Sequence, residues 1–421
     1  MVRGSLVSLI AGLTLGLTGS PGAAQVFSSL AEIDVPSTGV VEEPSLVTLA
    51  DGRMMMSWTE LMGDTYAAVK TAIYNGETWS DPVTVAEGDD LFISYADFAS
   101  AVGLPDGRIA VSWLRMNGDS SYDYDVNIGI SDDDGKTWDS PIVPHRDGLV
   151  TQHGFVTLLP DAKDGLLAMW LDGRAYDTGD TFGSDGADAG AMQLRATTVT
   201  SDRTLSDDLL LDDRTCTCCQ TSAAVTGDGT VLLAYRDRTA DEVRDISVVR
   251  RVNGTWTDPR TVSGDGWEID GCPVNGPAIA ARGDRAAVVW FTGAGGVPAV
   301  KIAFSDDQGA SFGAARQIDL GGPAGRVDLL QLEDGSALVS WVEWTPAGEV
   351  LLTCRATSTD GCGEPVAIAV NPTGNAMGFP RMTLAGDDVY IAWTEPSVDA
   401  AGRPDGGTAI RIASGKPQLS E

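Results

Sequence analysis

Along the chain, short runs of apolar, β-branched and aromatic residues alternate with clusters of Gly, Asp, Asn and Pro, and no helical period is sustained. Runs of this length bounded by turn residues predict strands. One pattern recurs seven times: an apolar stretch ending on an aromatic residue, at Trp58, Trp113, Trp170, Tyr235, Trp290, Trp341 and Trp393. The recurrences lie roughly 50–65 residues apart, the length of a supersecondary repeat. In "PSLVTLADGRMMMSW" and "FASAVGLPDGRIAVSW" the stretch follows another apolar strand across Asp-Gly, which supplies the positive backbone dihedrals of a hairpin turn. A third strand ("AAVKTAIY", "DVNIGIS", "DISVVRR", "AVKIAFS") and a fourth ("DPVTVA", "DPRTVS", "ARQIDL") complete the unit.

Four antiparallel strands per repeat make a blade that is apolar on both faces and stable only against its neighbours. The pattern therefore predicts an all-β protein, a β-propeller of four-stranded antiparallel blades. Seven repeats are counted, with six-bladed closure as the alternative. The seventh repeat has three strands ("FPRMTL", "DVYIAWTE", "TAIRIAS"), and a lone strand-like "LAEIDV" precedes the first repeat. Pairing this N-terminal strand with the last blade closes the ring and removes exposed strand edges. Two β-sandwiches would use similar strands but would not space them evenly.

Residues 1–24 read as a secretory signal: Arg3 precedes the apolar run "SLVSLIAGLTLGLTG", and Gly22, Ala23 and Ala24 give a small-residue cleavage context. The run falls short of the ~20 residues of a bilayer span, although an uncleaved anchor is the alternative. Residues 25–421 then form one propeller domain, secreted or periplasmic, with no transmembrane segment after signal removal. A formal net charge of -32, from 60 acidic against 28 basic residues, would repel a phosphate backbone. It argues against nucleic acid or an anionic membrane as the main partner.

In the turn after the third strand, "SDDDGKTW" (Ser131, Asp133, Gly135, Trp138) and "SDDQGASF" (Ser305, Asp307, Gly309, Phe312) match the Asp box, S-x-D-x-G-x-x-[W/F]. The box is structural: its carboxylate accepts turn amides, its glycine takes a positive φ, and its aromatic packs between strands. On these motifs the chain resembles the BNR-repeat, sialidase-like propeller family over nearly all of its length after the leader. The resemblance implies recognition of an anionic carbohydrate or glycoconjugate, or of another carboxylate- or sulfate-bearing ligand. An enzyme of this kind would be a glycoside hydrolase of exo-α-sialidase type. Two features depart from sialidases: no Arg-Ile-Pro motif is present, the first arginine after the leader being Arg53, and seven repeats replace six blades.

In a blade, the innermost strand starts and the second strand ends on one face, so these positions should ring one mouth of the axial channel. The starts are Glu43, Phe98 beside Asp97, His153, Gln220, Asn275, Arg326 and Gly378. Two residues past each anchor come Glu60, Arg115, Asp172, Asp237, Thr292, Glu343 and Glu395. Polar groups converging on a concave axis are the ingredients of a ligand site. Arg115, Arg174, Arg236, Arg238 and Arg326 suit bidentate capture of an anion, with His153, Gln220 and Asn275 as further ligand-binding candidates. Structural salt bridges to Asp172, Asp237 and Asp245 are the competing role for the arginines. For hydrolysis the candidates are the carboxylates Asp172, Asp237 and Glu242 with Tyr235 as nucleophile, although Tyr235 occupies a core anchor position.

"RTCTCCQTS" places Cys216, Cys218 and Cys219 before the inner strand of the fourth repeat, and "DGCPVNGP" places Cys272 before that of the fifth. Adjacent blades bring these four together on the side of His153. Export favours disulfides, one across the blades and one within the C-x-C-C segment, Cys218–Cys219 among the choices. Alternatively, thiolates with the His153 imidazole would bind copper or zinc; on the first reading no cofactor is expected. Cys354 and Cys362 predict a local hairpin disulfide, and His145 reads as a surface loop residue. Three functions stand: an anionic-glycan propeller, a metal-binding or redox propeller, and a non-catalytic interaction scaffold.

Overall fold

The computed structural model describes residues 26–63, 65–161, 165–176, 190–374, 377–398 and 404–418. The expected leader, residues 1–24, lies outside the described residues. The chain forms seven antiparallel sheets, so the wheel closes with seven blades and the six-bladed count is set aside. Their inner strands are Val40–Thr48, Ser100–Gly103, His153–Asp161, Ser222–Val225, Ala278–Arg282, Pro323–Gln331 and Arg381–Ala385, numbered here as blades 1 to 7. The second strands, Met54–Leu61, Ile109–Met116, Gly165–Asp172, Val231–Arg236, Arg285–Thr292, Ala337–Thr345 and Asp388–Val398, carry the aromatic anchors.

The wheel closes through its ends: Phe27–Ile33 pairs antiparallel with Pro404–Pro417 and completes blade 7, as the sequence predicts. Val26 and Phe27 are buried there with Met382, Ile391 and Trp393. Outer strands are uneven. In blade 2 the fourth position is a single bridge, Ile128 to Ile142, and in blades 4 and 5 it shrinks to Thr255–Trp256 with Arg260–Thr261 and to Arg316–Gln317.

Apolar seams between blades hold the fold. Trp58, Trp170, Trp290, Trp341 and Tyr235 are buried there to 1 % exposure or less. Truncating one such ring to alanine costs about 3–5 kcal/mol. Two indoles are satisfied within their own strand: Trp170 Nε1 donates to Asp172 at 2.7 Å and Trp341 Nε1 to Glu343 at 2.8 Å. Residues two apart on a strand share a face, which is why a carboxylate follows these anchors at that spacing.

Around the hub, side chains of one blade bind the main chain of the next. Asp97 accepts the Phe155 amide at 2.8 Å, Gln220 the Gly276 amide at 3.0 Å, Asn275 the Arg326 amide at 2.8 Å, and Glu43 the Phe379 amide at 2.8 Å. Asp328 adds the Met382 amide at 2.6 Å. Near the beginning of four inner strands the backbone is left-handed, at Glu43 (φ 27), Phe155 (φ 50), Val274 (φ 48) and Arg326 (φ 54). Such conformations cost of order 1–3 kcal/mol each for non-glycine residues, offset here by the buried hydrogen bonds that fix them.

Both octapeptide turns lie at the edge away from these starts, where Ser131 pairs with Ile109 and Ser305 with Ala286. Asp133 accepts the Thr137 amide at 2.8 Å and hydroxyl at 2.7 Å, and Asp307 accepts the Ser311 amide at 2.9 Å and hydroxyl at 2.6 Å. Gly135 and Gly309 take φ 75 and 71, and a Cβ on Gly309 would meet Leu232 at 2.7 Å. Trp138 and Phe312 pack on neighbouring apolar clusters.

Candidate functional site

The register places the two expected rings of residues at one mouth: Asp172 pairs with His153, Glu60 with Val41, and Glu343 with Pro323. A cavity of about 240 Å³ opens along the axis, lined by Ser45, Ser100, Thr157, Ser222, Asp97, Phe98, Asp328 and Arg381 among others. Arg381 lies with its guanidinium carbon 4.9 Å from the centre of the Phe98 ring and its Nη1 3.9 Å from Asp328. Arg326 stands 5.8 Å from the Phe379 ring centre, with Nη1 donating to Glu349 at 3.2 Å and to the Gly378 carbonyl at 3.3 Å. Phe379 in turn meets Phe98 at 6.1 Å and the half-exposed Tyr95 at 6.3 Å.

Carboxyls at this mouth, Glu43, Asp97 and Asp328 among them, keep their protons unusually long. Burial pushes Glu43 up to about 7, although the Phe379 amide and the charges of Arg326 and Arg381 pull the other way. Burial likewise raises Asp97 to about 7 against the Phe155 amide and the Tyr124 hydroxyl. Carboxyls poised near neutrality have general-acid chemistry.

The other candidates are spread over several sites. Arg115 pairs with Asp90 at the blade 2 rim and donates to the Glu87 carbonyl at 3.1 Å. Arg174 binds Asp172 at 2.6 Å, Asp208 at 2.9 Å and Asp147 at 3.1 Å. Arg236, 1 % exposed, donates to the carbonyls of Asn275 and Phe291, at 2.7 Å each, and braces blade 4 on blade 5. Arg238 holds Glu242 at 2.7 Å, and Glu242 also accepts Arg244 at 2.8 Å. Gln220 and Asn275 are hub couplers, Gln220 Nε2 also reaching the Ala96 carbonyl at 2.7 Å.

The carboxylates proposed for hydrolysis sit in separate environments. Asp172 is fully buried; burial raises it, but Arg174 and the His153 charge outweigh this and hold it below the ordinary range. Glu242 is held low by Arg238 and Arg244 against the effect of burial. Asp237 accepts the Ser247 hydroxyl at 2.8 Å and is raised to about 6 by burial and by Asp212. Tyr235 donates its hydroxyl to Asp212 and is 1 % exposed, with burial and both aspartates pushing its pKa well up. That environment suits the core position rather than a nucleophile.

His153 turns away from the thiols expected beside it. Adjacent strand residues face opposite sides, and Gln152 takes the side of the cysteine loop, donating to the Thr217 carbonyl at 3.2 Å. His153 instead meets Asp147 at 3.0 Å and Asp125 at 3.2 Å, and stacks on His145 with ring centres 3.6 Å apart. His145 is 6 % exposed, so the expected surface residue is a buried one. Burial lowers His153, but Asp125, Asp147 and Asp172 overcome it and raise the imidazole to about 9; burial and the His153 charge lower His145 to about 4.

Cys354 and Cys362 form the expected hairpin disulfide. The other four cysteines remain thiols. Cys216 Sγ lies 3.3 Å from Cys219 Sγ and 3.9 Å from Cys218 Sγ, all three buried, and Cys272 Sγ is 3.2 Å from Thr217 Oγ1. The Arg244 Nη1 reaches Cys216 Sγ at 3.5 Å.

Sequence reasoning passed over Arg381 and Asp328, the charged pair inside the cavity. It stopped at the first residue of each inner strand. Following the period of two inward would have found Ser45, Ser100, Ser222 and Asp328, each two residues on from a start position.

Among the described residues no helix is long and apolar enough to cross a membrane. No protein-family profile matches the sequence, and no curated protein matches it. Among solved structures, a protein of unknown function from Dyadobacter fermentans is similar over 95% of this chain and 100% of its own, at 14% identity and a TM-score of 0.52. The polysaccharide lyase Uly1 is similar over 89% of this chain and 90% of its own, at 9% identity and a TM-score of 0.51. The NanB sialidase from Streptococcus pneumoniae overlaps 93% of this chain and 71% of its own, at 13% identity and a TM-score of 0.46. The structural neighbours thus include polysaccharide lyases and sialidases, and the two likenesses with a TM-score above 0.5 show a shared fold.

Proposed function

We propose that the protein is an exported propeller that binds one acidic sugar unit of a glycan at the axial mouth. The carrying observation is Arg381, held over the Phe98 ring at 4.9 Å in a cavity lined by the hydroxyls of Ser45, Ser100, Thr157 and Ser222. A guanidinium recognises carboxylate or sulfate, hydroxyls recognise sugar hydroxyls, and the aromatic face suits a sugar's C–H surface. A volume of about 240 Å³ is below the ~300–1,000 Å³ of drug-sized pockets, which fits a single ring better than a length of chain. Strained backbone clustered round this mouth supports a functional role.

Asp97 lines the same cavity and keeps its proton to about 7, giving the mouth a general acid. Glycosidic cleavage is the catalytic extension of this reading. It is tested separately, by product analysis with any glycan that binds.

Calorimetry with sialosides, uronic acid oligosaccharides and sulfated glycans, set against neutral sugars of equal size, tests the binding. Acidic ligands are expected to bind, and Arg381→Met, which keeps much of the side-chain volume, to weaken them about ten-fold or more. Equal affinity for neutral and acidic sugars, or an unchanged affinity in a folded Arg381→Met variant, overturns the reading.

A further inference from the structure

We infer that Cys216, Cys218, Cys219 and Cys272 form a thiolate site for one thiophilic d¹⁰ ion, copper(I) or zinc(II), between blades 4 and 5. The Sγ atoms of Cys216, Cys218 and Cys219 all lie within 4.8 Å of one another. Their contacts of 3.3 and 3.9 Å are far from the ~2.05 Å of a disulfide. They bracket the spacing of about 3.8 Å that four sulfurs take around one tetrahedral ion at ~2.3 Å. Cys272, entering from the next blade with its Sγ 3.2 Å from Thr217 Oγ1 of the same loop, is the fourth thiol of the site. In the same chain Cys354 and Cys362 have closed into a disulfide, so the open arrangement is particular to this cluster.

The surroundings suit anionic sulfur. Arg244, 1 % exposed, directs Nη1 at Cys216 Sγ from 3.5 Å, and Arg236, equally buried, adds its positive charge near Cys219. Besides their bonds to the carbonyls of blade 5 and to Glu242, these two buried guanidiniums stabilise the net negative charge of a metal–thiolate centre. Cys218 and Cys219 are 6 % and 2 % exposed, and Cys272 alone of the four is only half-buried, which makes it the side from which an ion enters. Soft sulfur donors select copper(I) and zinc over hard cations. Each thiol loses its proton as it binds, so uptake releases protons without any change of oxidation state in the protein.

The loop matters to the hub. Thr217 receives a hydrogen bond from Gln152, and Gln220, next after Cys219, couples blade 4 to blades 2 and 5. An ion tying Cys216 to Cys272 therefore fixes the segment that presents Gln220. The inference stands on these atoms and is independent of the sugar reading, so either can fail alone.

The test loads the full mature chain with copper(I) under anaerobic conditions, and in a parallel sample with zinc(II). It measures bound metal, accessible thiols and the melting temperature. About one ion per chain is expected, with a sulfur shell at ~2.3 Å by X-ray absorption, protection of the thiols and a higher melting temperature. Which ion survives competition with a chelator names the metal. Cys216→Ser should weaken binding by more than the ~10–100-fold that an outer partner is worth, and Cys354→Ser with Cys362→Ser should leave it unchanged. Should Cys216→Ser misfold, Cys272→Ser at the rim gives the same reading. Absence of binding with four reactive thiols, or a disulfide among these four in the purified chain, overturns the inference.

Discussion

Removal of residues 26–33 opens the wheel, and the shortened chain is expected to melt at least ~10 °C lower or to aggregate. The segment supplies six pairings to Pro404–Pro417, from Phe27 with Pro417 to Ile33 with Ile412. It also buries Val26 and Phe27 against Met382, Ile391 and Trp393. Loss of the Phe27 ring alone costs about 3–5 kcal/mol. Without the segment, Pro404–Pro417 becomes a long unpaired edge, which templates association with other chains. Differential scanning fluorimetry and light scattering on the deletion variant read both effects. A peptide of residues 26–33 added in trans should restore part of the melting temperature, whereas an unchanged melt in the deletion variant would show that closure rests elsewhere.

Stability should peak near pH 4 and fall by several kcal/mol toward pH 9. Folding raises Glu43 and Asp97 to about 7 and Asp237 to about 6 through burial. The folded state thus holds protons that the unfolded chain has released above about pH 4. Their stabilisation is complete below the unfolded pKa and disappears as pH rises through 6 to 7. His153, raised to about 9 by its aspartates despite burial, adds stability below about pH 6.5 that is lost through pH 9. His145, lowered to about 4, acts oppositely between pH 4 and 6.5, and the depressed Asp147 and Asp172 set the acid limb. Asp97→Asn keeps an acceptor for the Phe155 amide but no titration. It should be more stable than the parent at pH 8 by on the order of 2 kcal/mol, with a flatter slope between pH 5 and 8. Chemical denaturation across pH checks this, and an unaltered slope refutes the assignment.

Seven-fold repetition was legible because each blade must bury the same aromatic in the same seam, which imprints a period on the sequence. Closure by the N-terminal strand was legible too, since the last repeat lacked one strand and the chain had one to spare. The thinning of the fourth strand in blades 2, 4 and 5 left no such mark, because outer strands bury little and tolerate irregular sequence. At the mouth, the repeat pattern placed residues at strand ends but did not give their engagements. Gln220 and Asn275 bind neighbouring main chain, a contact made across a seam that no local pattern encodes. The arginines of "YRDRTADEVRD" lie beside carboxylates in sequence, yet Arg236 spends its donors on carbonyls of blade 5. His145 sits in a polar loop, and its burial comes from stacking on a residue of the next blade.

The uneven rim has a consequence for the order in which the molecule loosens. Amide protons of the second strands, hydrogen-bonded to a strand on each side within their blades, should exchange only when the whole ring opens. Those of Thr255–Trp256, Arg260–Thr261, Arg316–Gln317 and the lone Ile142 bridge hang from one neighbour each and should exchange by local fraying. The wheel is thus graded along its radius, and limited proteolysis should nick it at the perimeter of blades 2, 4 and 5 while the axis stays intact.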